Sequence, residues 1–89
     1  MSNRQQLLER SAELVAAVSE QVVPKEKALE PGLTLADQGM TSLTYLRLID
    51  ALETEFGVYF DFDEEEERPL NTLDQLVDYM LEQGATGAG

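Results

Sequence analysis

The sequence predicts an all-α protein: a small four-helix bundle of three main helices plus a short helix, with a long first loop. Three observations carry that prediction. Apolar residues recur at helical spacing in three separate segments, and Pro or Gly stands close behind each of them. The one extended-looking stretch, Val58-Tyr59-Phe60, is too brief to be a strand with a partner. Eighty-nine residues with 43% hydrophobic content suffice for one modest core and no more. Residues 1–84 are expected to form that domain, and residues 85–89 a disordered tail.

Asn3 followed by Gln6 resembles a capping box. Leu7, Ser11, Leu14, Val15, Val18 and Val22 then mark one mostly apolar stripe on a helix of about residues 4 to 21, which Pro24 ends. Residues 24 to 41 read as a long connection with a turn at Pro31-Gly32, and Leu29, Leu33 and Leu35 are spaced to pin it to the core. Connections this long are uncommon in compact domains and are usually functional or mobile.

Gly39 breaks the chain, and a helix is expected from about Ser42 to Phe56 with Gly57 as its C-terminal cap. At about 100° per residue, Tyr45, Leu48, Ile49, Leu52 and Phe56 share one face with Leu46 at its edge. Leu43 projects elsewhere, toward Arg47, Asp50 and Thr54 on the solvent side. Asp61 to Glu67 is a charge run with room for one helical turn before Pro69. Thr72 and Gln75 form a second capping box, and Leu73, Leu76, Val77, Met80 and Leu81 follow at i, i+3, i+4, i+7 and i+8. That is the clearest helix, expected to end at Gly84.

Eighteen acidic residues against six basic ones leave a net charge of −12. Such a chain repels phosphate backbones and anionic lipid, so neither nucleic acid nor membrane is an expected partner. Proteins with basic patches are. The absence of Cys and His excludes disulfides, thiolate or imidazole metal sites, Cys nucleophiles and Ser-His pairs. Only carboxylates and three tyrosines could act in catalysis, so the chain does not read as an enzyme, and any reactive thiol must be imported. A calcium loop counted from Asp61 would need Gly at its sixth place and Glu at its twelfth, where Glu66 and Thr72 stand. The acidic run is therefore read as solvated surface or as a docking face for basic partners. The polar first residues contain no signal-peptide core and no segment approaches about 20 apolar residues, which makes the cytoplasm the expected location.

Leu35-Ala36-Asp37-Gln38-Gly39-Met40-Thr41-Ser42-Leu43 resembles the attachment site of acyl and peptidyl carrier proteins. Leu52-Glu53-Thr54-Glu55-Phe56-Gly57-Val58 is similar to the end of that family's second helix, and residues 71–80 to the start of its last one. The resemblance covers about residues 4 to 83. It implies an acyl-carrier-protein-like bundle, probed by a phosphopantetheinyl transferase and by loading and downstream biosynthetic enzymes, and acting as a monomer. It further implies a 4'-phosphopantetheine arm, derived from coenzyme A and attached to Ser42, that holds acyl or aminoacyl groups as thioesters. Leu43, Arg47, Asp50, Ala51 and Thr54 would then form the partner-binding face.

Three positions depart from the family pattern. Thr41 stands where Asp is usual, Gln38 where Leu is frequent, and Arg47 on a face commonly acidic in fatty-acid carriers. These departures point to a specialised pathway. The competing reading is a carrier-like adaptor that is never modified. For Ser42 itself the plain alternative is a helix N-cap, although Thr41 can take that role and leave Ser42 free. For Leu43 and its neighbours the plain alternative is solvated helix surface.

Overall fold

A computed structural model of the chain describes residues 3–30, 32–60 and 70–84. Four helices lie within them: α1 (Asn3–Val18), α2 (Lys25–Ala28), α3 (Ser42–Phe56) and α4 (Leu73–Glu82), with no strand among the described residues. The short helix is α2, placed inside the stretch read from sequence as a connection. Its four residues are too few to leave a periodic signal. The helical turn considered for Asp61 to Glu67, and the tail at 85–89, lie outside the described residues.

The stripes meet as amphipathic helices must. Leu7, Ala12 and Val15 of α1, Leu48, Ile49 and Leu52 of α3, and Leu73, Leu76, Val77 and Met80 of α4 are all buried in one core. α1 packs against each of the other three helices, and a cation bridges each of those contacts. Arg4 reaches Asp74 and Asp78 of α4, both at 2.9 Å. Arg10 reaches Glu55 of α3 at 3.1 Å, and Lys25 of α2 reaches Glu13 at 3.3 Å. These pairs are solvent-exposed and screened by water, so the core and not the ion pairs carries the stability.

The first helix differs from expectation at both ends. Asn3 lies within α1, so it is not the cap. The helix stops at Val18 because Glu20 (φ 54°) and Gln21 (φ 70°) take up left-handed backbone. Those two residues redirect the chain, so Val22 is 60% exposed instead of continuing the stripe, and Val23 takes the inward place. Buried Ser19 secures the turn, its Oγ accepting the Val23 N–H at 3.1 Å. In the following connection Leu35 is buried and Leu29 packs against the core, whereas Leu33 is exposed and pins nothing.

α3 occupies its predicted span, with Gly57 left-handed (φ 66°) as its cap. Beyond it Val58 and Phe60 turn inward and Tyr59 outward. The Phe60 ring stacks on Tyr79 at 5.1 Å. Side chains hold this extended segment: the Gln83 amide accepts the Tyr59 N–H at 2.8 Å and donates to the Tyr59 C=O, while Glu53 accepts the Phe60 N–H at 2.8 Å. The capping box at Thr72 and Gln75 is formed, and α4 ends at Glu82, two residues before Gly84.

Candidate attachment site

Residues 34–40 wind into a compact turn ahead of α3. The Thr34 hydroxyl accepts the Asp37 N–H at 3.0 Å, Gly39 donates to the Ala36 C=O at 3.0 Å, and Met40 donates to the Leu35 C=O at 3.0 Å. Buried Leu35 and Met40 anchor the turn in the core, and the Leu35 N–H donates to Asn71 just before α4 at 2.8 Å. Gly39 has φ 110°, a conformation that side chains disfavour. A Cβ there would meet only Val22, at an ordinary 3.5 Å, so backbone conformation and not space calls for glycine.

Thr41 is extended and caps α3, its Oγ1 accepting the Thr44 N–H at 3.2 Å and donating to the Thr44 hydroxyl at 3.0 Å. The Thr41 C=O accepts from Tyr45 at 2.9 Å. The plain alternative for Ser42, a helix cap, is therefore not what the chain adopts. Ser42 is the first residue of α3, exposed, and its hydroxyl has no partner among the described residues. The amides of Ser42 and Leu43 likewise find no acceptor among the described residues. Two free N–H groups at the positive end of a fifteen-residue helix, beside a free hydroxyl, suit an anionic ester at that oxygen.

A cleft of about 610 Å³ opens beside Ser42. Thr34, Leu35, Ala36 and Met40 line it from the turn, Tyr45 and Leu46 from α3, and Leu70 and Asn71 from the approach to α4. Among the described residues no charged side chain lines it, although the chain carries a net −12. The Tyr45 hydroxyl donates to the Leu70 C=O at 2.7 Å, joining the two walls, and burial pushes its phenol pKa up, which keeps it a neutral donor.

Of the other residues singled out in sequence, Leu43 (62% exposed), Arg47, Asp50 and Thr54 face solvent along α3, while Ala51 is half-buried. Leu46 was placed at the edge of the core face, and it is instead 60% exposed beside Leu43. Its spacing of three from Leu43 and four from Ser42 carried that signal. The burial of Gln38 gives no signal in the sequence.

The family model for the phosphopantetheine attachment site matches residues 12–80, which include the turn, Ser42 and the whole cleft lining. The chain belongs to the phosphopantetheine attachment site family. No solved structure matches it. Proteins of this family are non-catalytic carriers on which 4'-phosphopantetheine is covalently attached, and this chain is a phosphopantetheine-carrying protein. Phosphopantetheinyl transferases modify such domains, and biosynthetic enzymes engage them. Among the described residues no cluster could hold a metal ion, and no helix is long and apolar enough to cross a membrane.

Proposed function

We propose that Ser42 bears the arm and that the protein holds acyl or aminoacyl intermediates as thioesters for a specialised biosynthetic pathway, such as polyketide or nonribosomal peptide assembly. One observation carries the assignment: Thr41 takes the cap, so Ser42 keeps a hydroxyl at the helix start, next to two amides, that like them has no partner among the described residues. Those amides and the helix dipole would hold the phosphodiester. The arm supplies the thiol that the sequence lacks. The sequence has neither His nor Cys, so the transferase must supply the base that activates the hydroxyl. The cleft, uncharged among the described residues, gives the arm and a neutral cargo a place to lie.

The departures at Thr41, Gln38 and Arg47 support a dedicated set of partner enzymes over a fatty-acid housekeeping role. Leu43, Arg47, Asp50, Ala51 and Thr54 are the proposed docking face, with Leu46 added to it. The charge of −12 favours basic protein partners over nucleic acid or membrane, and we place the carrier, residues 1–84, in the cytoplasm as a monomer.

Incubation with coenzyme A, magnesium and a broad-specificity transferase should add one phosphopantetheine mass, and Ser42→Ala should abolish the addition. Addition persisting in that variant would overturn the assignment. No addition to the unmutated chain would leave the adaptor reading.

A further inference from the structure

Gln38 is buried at 3% exposure in the turn that leads to Ser42. Its Nε2 donates to the Lys27 C=O in the last turn of α2 at 2.6 Å, while its Oε1 is buried without a hydrogen-bond partner among the described residues. An orphaned buried carbonyl is destabilising, and an apolar side chain of similar shape would avoid that cost. The cost of that carbonyl offsets what the single hydrogen bond contributes, and what the amide supplies beyond it is direction. Leu35 and Met40 hold the turn through apolar packing, which fixes depth but tolerates sliding, and Leu35 N–H ties its start to Asn71. Gln38 is the side chain that ties its far end, immediately before Gly39, to another helix.

We infer that Gln38 is a positioning residue for modification of Ser42: by fastening the turn to α2 it presets the Gly39–Ser42 backbone in the form a transferase engages. The inference rests on Ser42 as the attachment point. With the amide in place, the swivel that Gly39 permits is confined, and the Thr41 cap and Ser42 hydroxyl are offered in one arrangement. Without it the turn samples others, and the transferase meets the right one less often. Such a loss lowers apparent affinity without altering the chemical step.

The test first confirms by mass that the unmutated chain takes one arm at Ser42; if it does not, the reading of Ser42 fails and this inference with it, whereas failure in the Gln38 variants alone overturns only this one. Gln38→Met, near in shape, and Gln38→Leu, smaller, are then compared with it. The readouts are melting temperature, amide hydrogen exchange at residues 39–43, and the KM and kcat of a transferase supplied with coenzyme A. Gln38→Met should melt at or above the unmutated temperature, since the orphaned carbonyl is gone. Its exchange at 39–43 should nonetheless quicken and its KM rise, each by roughly three- to tenfold, the weight of one hydrogen bond, with kcat near normal. Gln38→Leu should show the same split even if its melting temperature falls. Unchanged KM and unchanged local exchange in both variants would overturn the inference, as would a fall in kcat alone.

Discussion

Replacing Thr41 with alanine removes the hydroxyl that accepts the Thr44 N–H at 3.2 Å and donates to the Thr44 hydroxyl at 3.0 Å. Both groups are reachable by water, so the loss is that of a cap and not of a buried bond. It should lie near the middle of the range for such substitutions, about 1 kcal/mol. For a domain of this size that corresponds to a fall in melting temperature of about 4–8 °C. Thr41→Ser keeps the oxygen in a residue that caps at least as well, and should leave stability unchanged within about 0.5 kcal/mol. Ser42 gives the sharper comparison. With Thr41 present its hydroxyl supports nothing, so Ser42→Ala alone should change stability by less than about 0.5 kcal/mol. In the Thr41→Ala background the helix can restart one residue later with Ser42 as cap, and removing Ser42 should then be more costly than in the unmutated chain. The four proteins form a double-mutant cycle that urea or thermal unfolding can close. Ser42→Ala as damaging as Thr41→Ala would show that Ser42 is the cap and that its hydroxyl is not free.

Leu52 is fully buried and Leu43 is 62% exposed, so Leu52→Ala should cost about 2–5 kcal/mol and Leu43→Ala under about 1; equal losses in denaturant unfolding would mean that α3 is rotated. In the loaded carrier, Leu43→Ala and Arg47→Glu should slow turnover by a pathway enzyme while the melting temperature barely moves, and normal rates at low and moderate salt would reduce this face to plain surface. Arg10, and then Lys25, hold the Glu13 carboxyl below its ordinary value of 4.5. A carboxyl lowered by folding stabilises above its unfolded value, and that contribution disappears as pH falls through the folded value. Glu13→Gln should therefore lower the melting temperature slightly at pH 7 and leave it unchanged well below pH 4.5; the same drop at both would rule out charge as the cause.

α3 and α4 were legible because their signals are local. The Gly57 cap, the Thr72 and Gln75 box and the apolar stripes each act within a few residues, and α3 begins and ends where those letters put it. The Thr41 cap was readable for the same reason. The end of α1 was not, since Glu20 and Gln21 adopt a left-handed backbone that their side chains do not advertise. That error carried forward to Val22, whose inward place passed to Val23. α2 was missed because four residues make no period. The place of Ser42 at the helix start and the exposure of Leu43 followed from pattern, but the Gln38 link needed α2 in place before its amide had anything to reach. The cleft needed Leu70 and Asn71 to come alongside α3, a contact between distant parts of the chain that no spacing rule foresees.

The way Gln83 holds Tyr59 bears on how the protein behaves in a crowded solution. An extended segment with alternating inward and outward side chains normally presents a row of unpaired amides and carbonyls, a template on which a second chain can build a sheet. Here one glutamine imitates the missing strand, occupying both backbone groups of Tyr59, and Glu53 takes the next amide. The segment carries an exposed tyrosine yet offers no open ladder at that residue. A bundle that occupies the backbone of this strand-like stretch with its own side chains can stand beside many copies of itself with less risk that the stretch becomes a seed for aggregation.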